Sequence, residues 1–320
     1  MRKGLSVLGG VLVGALVVAG CGGGTGGGGD TGGGGDTGGG GTAGSARLGV
    51  VGFAEVVNRA FGDLVDVDLE ASFFATSAAF VDAYVAIDPE IPIGTCEVAT
   101  LALDWDDDDF ALPEVPGEVS ATLTSVSAGP AVSVKAGSVI YTTAERFDIS
   151  FGGQTYFSYD NGEDFDDDAS APPFPASALA LEIPGAAGGF PGMTVGIPSV
   201  RAMALTAPVL TGQVSPAILV GTTTTFQWEP REAGDPASYV RIFAAPALPM
   251  AGSKYVECSV PDTGTFAFSA ETQSQLGAGF SGTLWDFSRV VRHVHVDSES
   301  GGTVVLNVER GVSSLGGLGF

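Results

Sequence analysis

Apolar and polar residues alternate along much of this chain, most clearly between Leu64 and Phe74. Val65, Val67, Leu69, Ala71 and Phe73 share one side of this run, opposite Asp66, Asp68, Glu70 and Ser72. A period of two is typical of a half-buried β-strand. Similar short runs occur at 97–103, 119–126, 131–141, 145–151, 154–159 and 178–183. Because Gly, Pro and Asp clusters separate these runs, the pattern predicts an all-β protein built as antiparallel sandwiches.

Helical periodicity is weak everywhere. The best helical candidate is the segment 53–61, which fits a strand equally well. The segment from Pro184 to Pro198 is rich in Gly and Pro, so we expect it to be irregular and to cross between sheets.

The first 20 residues have the organisation of an export signal. Arg2 and Lys3 precede an uncharged apolar run from Leu5 to Ala19. This run is shorter than the roughly 20 residues that a membrane-spanning helix needs, so residues 1–20 are predicted to be a signal peptide.

The end of this signal, Val18-Ala19-Gly20-Cys21, resembles the lipobox of bacterial lipoproteins. The resemblance implies cleavage between Gly20 and Cys21 and acylation of Cys21, which would anchor the protein to a lipid bilayer. A plain secretory signal with a nearby cysteine is the alternative. Since Gly22 is not Asp, the resemblance favours the outer membrane of the cell envelope if the source is Gram-negative.

Residues 21–46 follow as a linker made almost wholly of Gly, Thr and Asp. Such a composition has no apolar surface to offset the entropy of ordering, so we expect a disordered tether. The remaining chain is divided near residues 200–207 into an N-terminal β-sandwich domain at 47–202 and a second domain at 203–320.

The second domain carries Phe226-Gln-Trp228-Glu-Pro230, followed by Tyr239-Val-Arg-Ile242, and resembles fibronectin type III and related immunoglobulin-like domains. The resemblance implies an antiparallel sandwich with Trp228 in its core. Its later strands would be Lys254–Val260, Thr265–Ser269, Gly282–Val296 and Gly302–Arg310. The run Thr303–Val308 would close the sheet as an edge strand.

Charge narrows the choice of partners. The chain carries a net charge of −24, and residues 1–20 hold two of the 13 basic residues and no acidic one. The remainder therefore has 37 acidic and 11 basic side chains, a formal charge of −26. This excludes nucleic acid, because phosphate neutralisation needs Lys and Arg. It also means that attachment to a membrane depends on the acyl chains.

Cys96 and Cys258 remain once Cys21 is assigned to the lipid. An exported compartment permits a disulfide, which would join the two predicted domains. Two separate buried thiols are the alternative.

Two acidic runs and one histidine pair are candidate metal sites. Calcium prefers six to eight oxygen ligands, and transition metals accept neutral imidazole beside carboxylate. The candidate ligands are Asp104, Asp106, Asp107, Asp108, Asp109, Asp160, Asp164, Asp166, His293, His295 and Asp297. Solvated acidic loops and the outward face of a strand explain the same residues without any metal, so no cofactor is expected beyond a possible Ca²⁺.

No catalytic constellation is evident. The run Gly279-Phe-Ser281-Gly-Thr283 lacks the second glycine of a nucleophile elbow. We therefore expect a membrane-anchored envelope lipoprotein that is not an enzyme and acts as a binding or structural module towards an unknown envelope protein or glycan. A calcium- or carbohydrate-binding surface adhesin is the first alternative, and an envelope hydrolase is the second.

Overall fold

The computed structural model describes most of the chain beyond residue 45. The described residues are 46–59, 64–87, 91–100, 123–151, 154–161, 175, 177–209, 219–220, 225–246, 252–276 and 280–318. The predicted signal peptide, the lipobox at 18–21 and the linker lie outside these residues.

The described residues are predominantly β, as predicted. The first nine strands are β1 (Ala46–Asn58), β2 (Leu64–Thr76), β3 (Thr95–Thr100), β4 (Thr124–Ser125), β5 (Ala131–Ala136), β6 (Val139–Phe151), β7 (Gln154–Asp160), β8 (Leu179–Ile183) and β9 (Met193–Gly196). The others are β10 (Leu205–Ala207), β11 (Leu219–Val220), β12 (Phe226–Trp228), β13 (Tyr239–Pro246), β14 (Lys254–Pro261), β15 (Thr265–Phe266), β16 (Phe280–Asp297) and β17 (Gly302–Leu318).

Several strand predictions are confirmed to within a few residues, and others differ for a local reason. The run 131–141 is divided between β5 and β6 because Gly137 adopts a φ of 63° and turns the chain between them. The ambiguous segment 53–61 is a strand up to Asn58. The Gly- and Pro-rich segment after Pro184 is irregular apart from β9. Because β9 pairs with β8, the segment returns to the same sheet, and the expected crossing between sheets is wrong.

Fourteen of the strands form one sheet. Its order is β3-β14-β13-β16-β17-β1-β2-β7-β6-β5-β8-β9, with β11 added beside β17 and β4 beside β2. A separate three-stranded sheet has the order β10-β12-β15. The large sheet contains strands from both sides of residue 202: β1 pairs with β17, and β3 pairs with β14.

Strand β17 lies in the middle of this sheet, so its prediction as an edge strand is wrong. It pairs with β16 in an antiparallel ladder and with β1 in a parallel ladder that extends from Arg47–Gly302 to Asn58–Ser313. Sequence periodicity does not distinguish these positions: β17 is buried on both faces over most of residues 302–314, and its apolar run reports that burial without showing whether a strand lies on each side.

Two short helices occur in the described residues, α1 (Ala78–Ala86) and α2 (Ala270–Leu276). Helix α1 was not predicted, because its residues are apolar on nearly every side and give no helical stripe. Ser77 begins it by accepting a 3.1 Å hydrogen bond from the Phe80 amide. Arg292 of β16 ends it by donating to the carbonyl oxygens of Tyr84 and Val85, at 2.7 and 2.9 Å. None of the helices in the described part of the chain combines the length and apolar character required to cross a bilayer.

The strand registers place two of the three hydrophobic clusters on one face of the large sheet. The first cluster packs the N-terminal strands with part of β17, and it includes Phe53, Leu69, Tyr159, Val200 and Leu306. The second cluster packs the C-terminal strands, and it includes Met203, Trp228, Ile242, Trp285 and Val312. A third cluster lies on the opposite face, where Phe80 and Val81 of α1 cover Leu48 and Val305.

The first cluster depends on a glycine in β1. A Cβ atom at Gly49 would lie 2.8 Å from the Phe73 ring and 3.3 Å from that of Phe190. Gly49→Ala should therefore lower the free energy of unfolding by about 1–3 kcal/mol through overpacking. Gly196→Ala is the matched control, since nothing lies within 4 Å of that Cβ position. Urea unfolding of the two variants measures the difference, and equal effects would contradict this account of the cluster.

Candidate functional site

Only some of the predicted metal ligands lie in the described residues. These are Asp160 at the end of β7 and, on β16, His293, His295 and Asp297. The run Asp104–Asp109 and the residues Asp164 and Asp166 lie outside the described part of the chain, as do Gly20 and Cys21.

His293 and His295 share a face of β16, as predicted, and are half-buried beside Leu306 and Val304 of β17. Asp297 is engaged in the turn that follows, where it accepts hydrogen bonds from the Glu299 amide at 3.0 Å and the Ser300 hydroxyl at 2.7 Å. These bonds, the one from Ser300 above all, lower the pKa of Asp297. Among the described residues, no group of three His, Cys, Asp or Glu side chains could hold a metal ion.

Cys96 and Cys258 form a disulfide, with their Cα atoms 4.0 Å apart. The two cysteines lie directly opposite each other on β3 and β14, which are neighbouring antiparallel strands. The bond therefore fixes the edge strand β3 to the rest of the large sheet. The sequence had suggested a clamp between two domains, whereas the bond lies within one sheet.

A buried ion pair lies under the three-stranded sheet. Arg289 is 2% exposed and donates to both carboxylate oxygens of Asp262, with Nε–Oδ2 at 2.6 Å and Nη2–Oδ1 at 3.1 Å. Trp228 Nε1 and the Ser238 hydroxyl also donate to Asp262, at 2.9 and 2.7 Å. Burial alone would raise the pKa of Asp262, but these hydrogen bonds outweigh it and lower the pKa. This well-satisfied pair fixes the position of Trp228.

The opposite face of the large sheet carries a different kind of charge cluster. By register, one face holds Glu257 of β14, Arg241 of β13, Asp286 of β16, Glu309 of β17, Glu70 of β2 and Asp160 of β7, and we call these six residues the acidic face. The acidic face thus contains five carboxyl groups and one guanidinium, and the carboxylates that act on Arg241 are those of Glu309, Glu257 and Asp286. Arg241 Nη2 lies 2.6 Å from Glu309 Oε2.

Burial and the shortage of cations shift the ionisation of this face. Burial raises the pKa of Asp286 despite Arg241 and a 2.6 Å hydrogen bond from Ser288. Burial raises the pKa of Glu309 as well, and Asp286 and Glu257 add to that effect against Arg241. For Arg241, burial lowers the pKa, but the carboxylates around it more than compensate and leave the pKa raised.

Glu70 shows the largest shift on the acidic face. Burial, with the negative charges of Asp68, Asp160 and Glu309, raises its pKa to about 8. Asp160 lies directly opposite Glu70 on β7, and Gly52 of β1 lies opposite on the other side. A carboxyl group with this pKa keeps its proton at neutral pH, so it can donate a hydrogen bond or a proton.

Of the six residues of the acidic face, the sequence singled out only Asp160, as a candidate metal ligand. Glu70 was assigned to the polar side of its strand, which was expected to face solvent. A signal for Asp286 does exist in the sequence, since the charged side chains Asp286 and Arg289 interrupt the apolar run that begins at Leu284. Charged residues within an apolar strand are rarely buried unless they are paired.

Glu70→Gln tests the ionisation of the acidic face. The folded pKa of Glu70 lies above its ordinary value of 4.5, so folding retains a proton that the unfolded chain releases as pH rises from about 4.5 to 8. The stability that Glu70 contributes is therefore present below this range and is lost across it. Glutamine does not ionise, so the variant should be more stable than the native chain by roughly 1–3 kcal/mol at pH 8, after allowance for solvent screening.

At pH 4.5 this advantage should largely disappear. Glu299→Gln, in the exposed turn between β16 and β17, is the matched control and should show no such pH dependence. Denaturant unfolding at both pH values measures the difference. An advantage for Glu70→Gln that is the same at both pH values would contradict the proposed ionisation.

Comparison with protein-family models, curated proteins and solved structures gives no match for this chain.

Proposed function

We propose that the protein is a membrane-anchored lipoprotein of the cell envelope, and that its β-rich body is a non-catalytic binding or structural module. The observation that carries this proposal is the run Val18-Ala19-Gly20-Cys21 at the end of a short apolar signal. Acyl chains on Cys21 would hold the protein in the bilayer, since two or more chains anchor a protein durably.

The position of the first strand supports a tethered arrangement. Strand β1 begins at Ala46, where the Gly-rich run ends, and it lies between β17 and β2 inside the large sheet. A Gly-rich coil of about 25 residues has an r.m.s. span of roughly 25–30 Å. Such a linker lets the body stand away from the bilayer and reorient, while its point of attachment is held by two strand ladders.

The disulfide and the charge of the body agree with this location. Disulfides persist in oxidising compartments outside the cytosol, and the Cys96–Cys258 bond suits an exported protein. The acidic residues of the body repel anionic headgroups, so the acyl chains would supply the attachment. The outer membrane is the favoured site if the cell is Gram-negative.

We also propose that packing divides the body into two β-sandwich units near residue 202, the second of them resembling an immunoglobulin-like or fibronectin type III domain. Val200 belongs to the first hydrophobic cluster and Met203 to the second, which supports a division at this point. Trp228, the proposed core residue of the second unit, is 3% exposed. The shared sheet means that the two units are joined by strand pairing and are not separated by a linker.

Cys21→Ser tests the anchor. The variant cannot receive the thioether-linked lipid, so it should move from the membrane fraction to the soluble fraction. Cys258→Ser is the matched control, because it also replaces one cysteine by serine but leaves the lipobox intact, and it should stay with the membrane. Detergent phase partition of the two variants and mass spectrometry of the native N-terminus provide the measurements.

An unmodified Cys21 in the protein isolated from cells would contradict the anchoring proposal. The non-catalytic role is tested separately on purified protein with ester, peptide and glycoside substrates. Turnover of any of them that depends on the acidic face would favour the hydrolase alternative.

A further inference from the structure

Strand β17 is the only strand that joins the two halves of the large sheet in the described residues. On one side of it lie β16, β13, β14 and β3, and on the other side lie β1, β2, β7, β6, β5, β8 and β9. Each half forms its own ladders, but the halves meet through the β16–β17 and β1–β17 pairings. Without β17, the facing edges of β1 and β16 would both expose unpaired backbone groups along their length.

The side chains of β17 also complete all three hydrophobic clusters. Val304, Leu306 and Val308 belong to the first cluster, Val312 to the second and Val305 to the third. Within residues 302–315, all but Asn307, Arg310 and Leu315 are buried. Each cluster is therefore incomplete until this strand is in place. Since hydrophobic burial is the main favourable term in folding, an incomplete cluster contributes less to stability.

Two ion pairs also need β17 to be in place. Arg310 donates to Glu55 of β1 with Nη2–Oε1 at 2.5 Å, and Glu309 accepts from Arg241 of β13 at 2.6 Å. Glu55 is 3% exposed, so its carboxylate would lose a cationic partner in the sheet without β17. Removing one member of a buried ion pair is strongly destabilising. Adjacent residues of β17 thus connect the two halves electrostatically, one on each face.

We infer that β17 controls when the body folds: neither half of the sheet forms a stable structure until residues 302–318 are available to join them. The β1–β17 ladder connects residues far apart in sequence, since Glu55 and Arg310 are separated by 255 positions. Pairing across such a separation must offset the loop-closure entropy before it contributes stability, which makes folding late and slow.

Late folding would help a chain that is exported, and this role rests on the function proposed above. A chain that must cross a membrane unfolded benefits when its sheet cannot close during synthesis. Most of the strands precede β17, and they lack the strand that would join them. The dependence of folding on β17 does not require export, and it is tested without export.

Chains of increasing length provide the first test. The full chain and chains ending at residues 209, 276 and 301 are released from translation in vitro and exposed to a short protease pulse. Only the full chain should resist, with cleavage of the folded body slowed at least about 100-fold, because proteolysis follows the population of the open state. A resistant core in the chain ending at residue 301, or in a shorter one, would overturn the inference.

Complementation with a peptide distinguishes a specific need for β17 from a general loss of folding on truncation. A synthetic peptide of residues 302–318, added to the chain ending at residue 301, should restore protease resistance. The same peptide with Leu306→Ala should require at least about ten-fold more peptide, because Leu306 is fully buried in the first cluster. Asn307→Ala is the matched control at the neighbouring, half-buried position and should complement nearly as well as the native peptide.

Failure of the native peptide to restore resistance, or equal effects of the two substitutions, would also overturn the inference. These measurements use unlipidated chains, so they are independent of the Cys21→Ser experiment. Soluble Cys21→Ser protein and a protease-resistant chain ending at residue 301 would reject the folding control and retain the anchor. The opposite pair of results would reject the anchor and retain the folding control.

Discussion

The rest of the structure depends on one pairing, the parallel ladder between β1 and β17. It brings together segments about 250 residues apart in the chain and places both in the middle of the large sheet. A parallel pair cannot close through a tight turn, so the segment between its strands must leave the ladder and return. In the described residues, that segment supplies all the remaining strands of the large sheet. The ladder therefore determines which strands are neighbours and where the two halves meet.

Local periodicity predicted the strands well and their arrangement poorly. The alternation from Leu64 to Phe74 corresponds to β2, and the runs at 154–159 and 178–183 correspond to β7 and β8. Strand order depends on contacts between distant residues, which a single sequence does not display. For that reason β17 was expected at an edge and the sheet was expected to be antiparallel throughout. Helix α1 was missed because its almost entirely apolar sequence carries no helical stripe and is stabilised by packing on Leu48 and Val305.

The disulfide shows the same limit. The sequence left open whether Cys96 and Cys258 pair, and it assigned the two residues to different predicted domains. They are direct neighbours because β3, from the N-terminal region, completes the edge of the C-terminal half of the sheet. Long-range strand exchange between regions of a chain leaves no mark in composition or periodicity. It also explains why the large sheet contains strands from both sides of residue 202.

The two buried charge clusters differ in a way that bears on where function should be sought. Around Arg289 and Asp262 the charges balance, and hydrogen bonds from Trp228 and Ser238 complete the pair, so this cluster is accounted for by its structural role. The acidic face contains five carboxyl groups and one guanidinium, that of Arg241, and burial together with negatively charged neighbours raises the pKa of Glu70 to about 8. Such an arrangement works against folding stability. Proteins keep local conflicts of this kind chiefly at functional sites. The acidic face is therefore the part of the body whose chemistry is not explained by the fold alone.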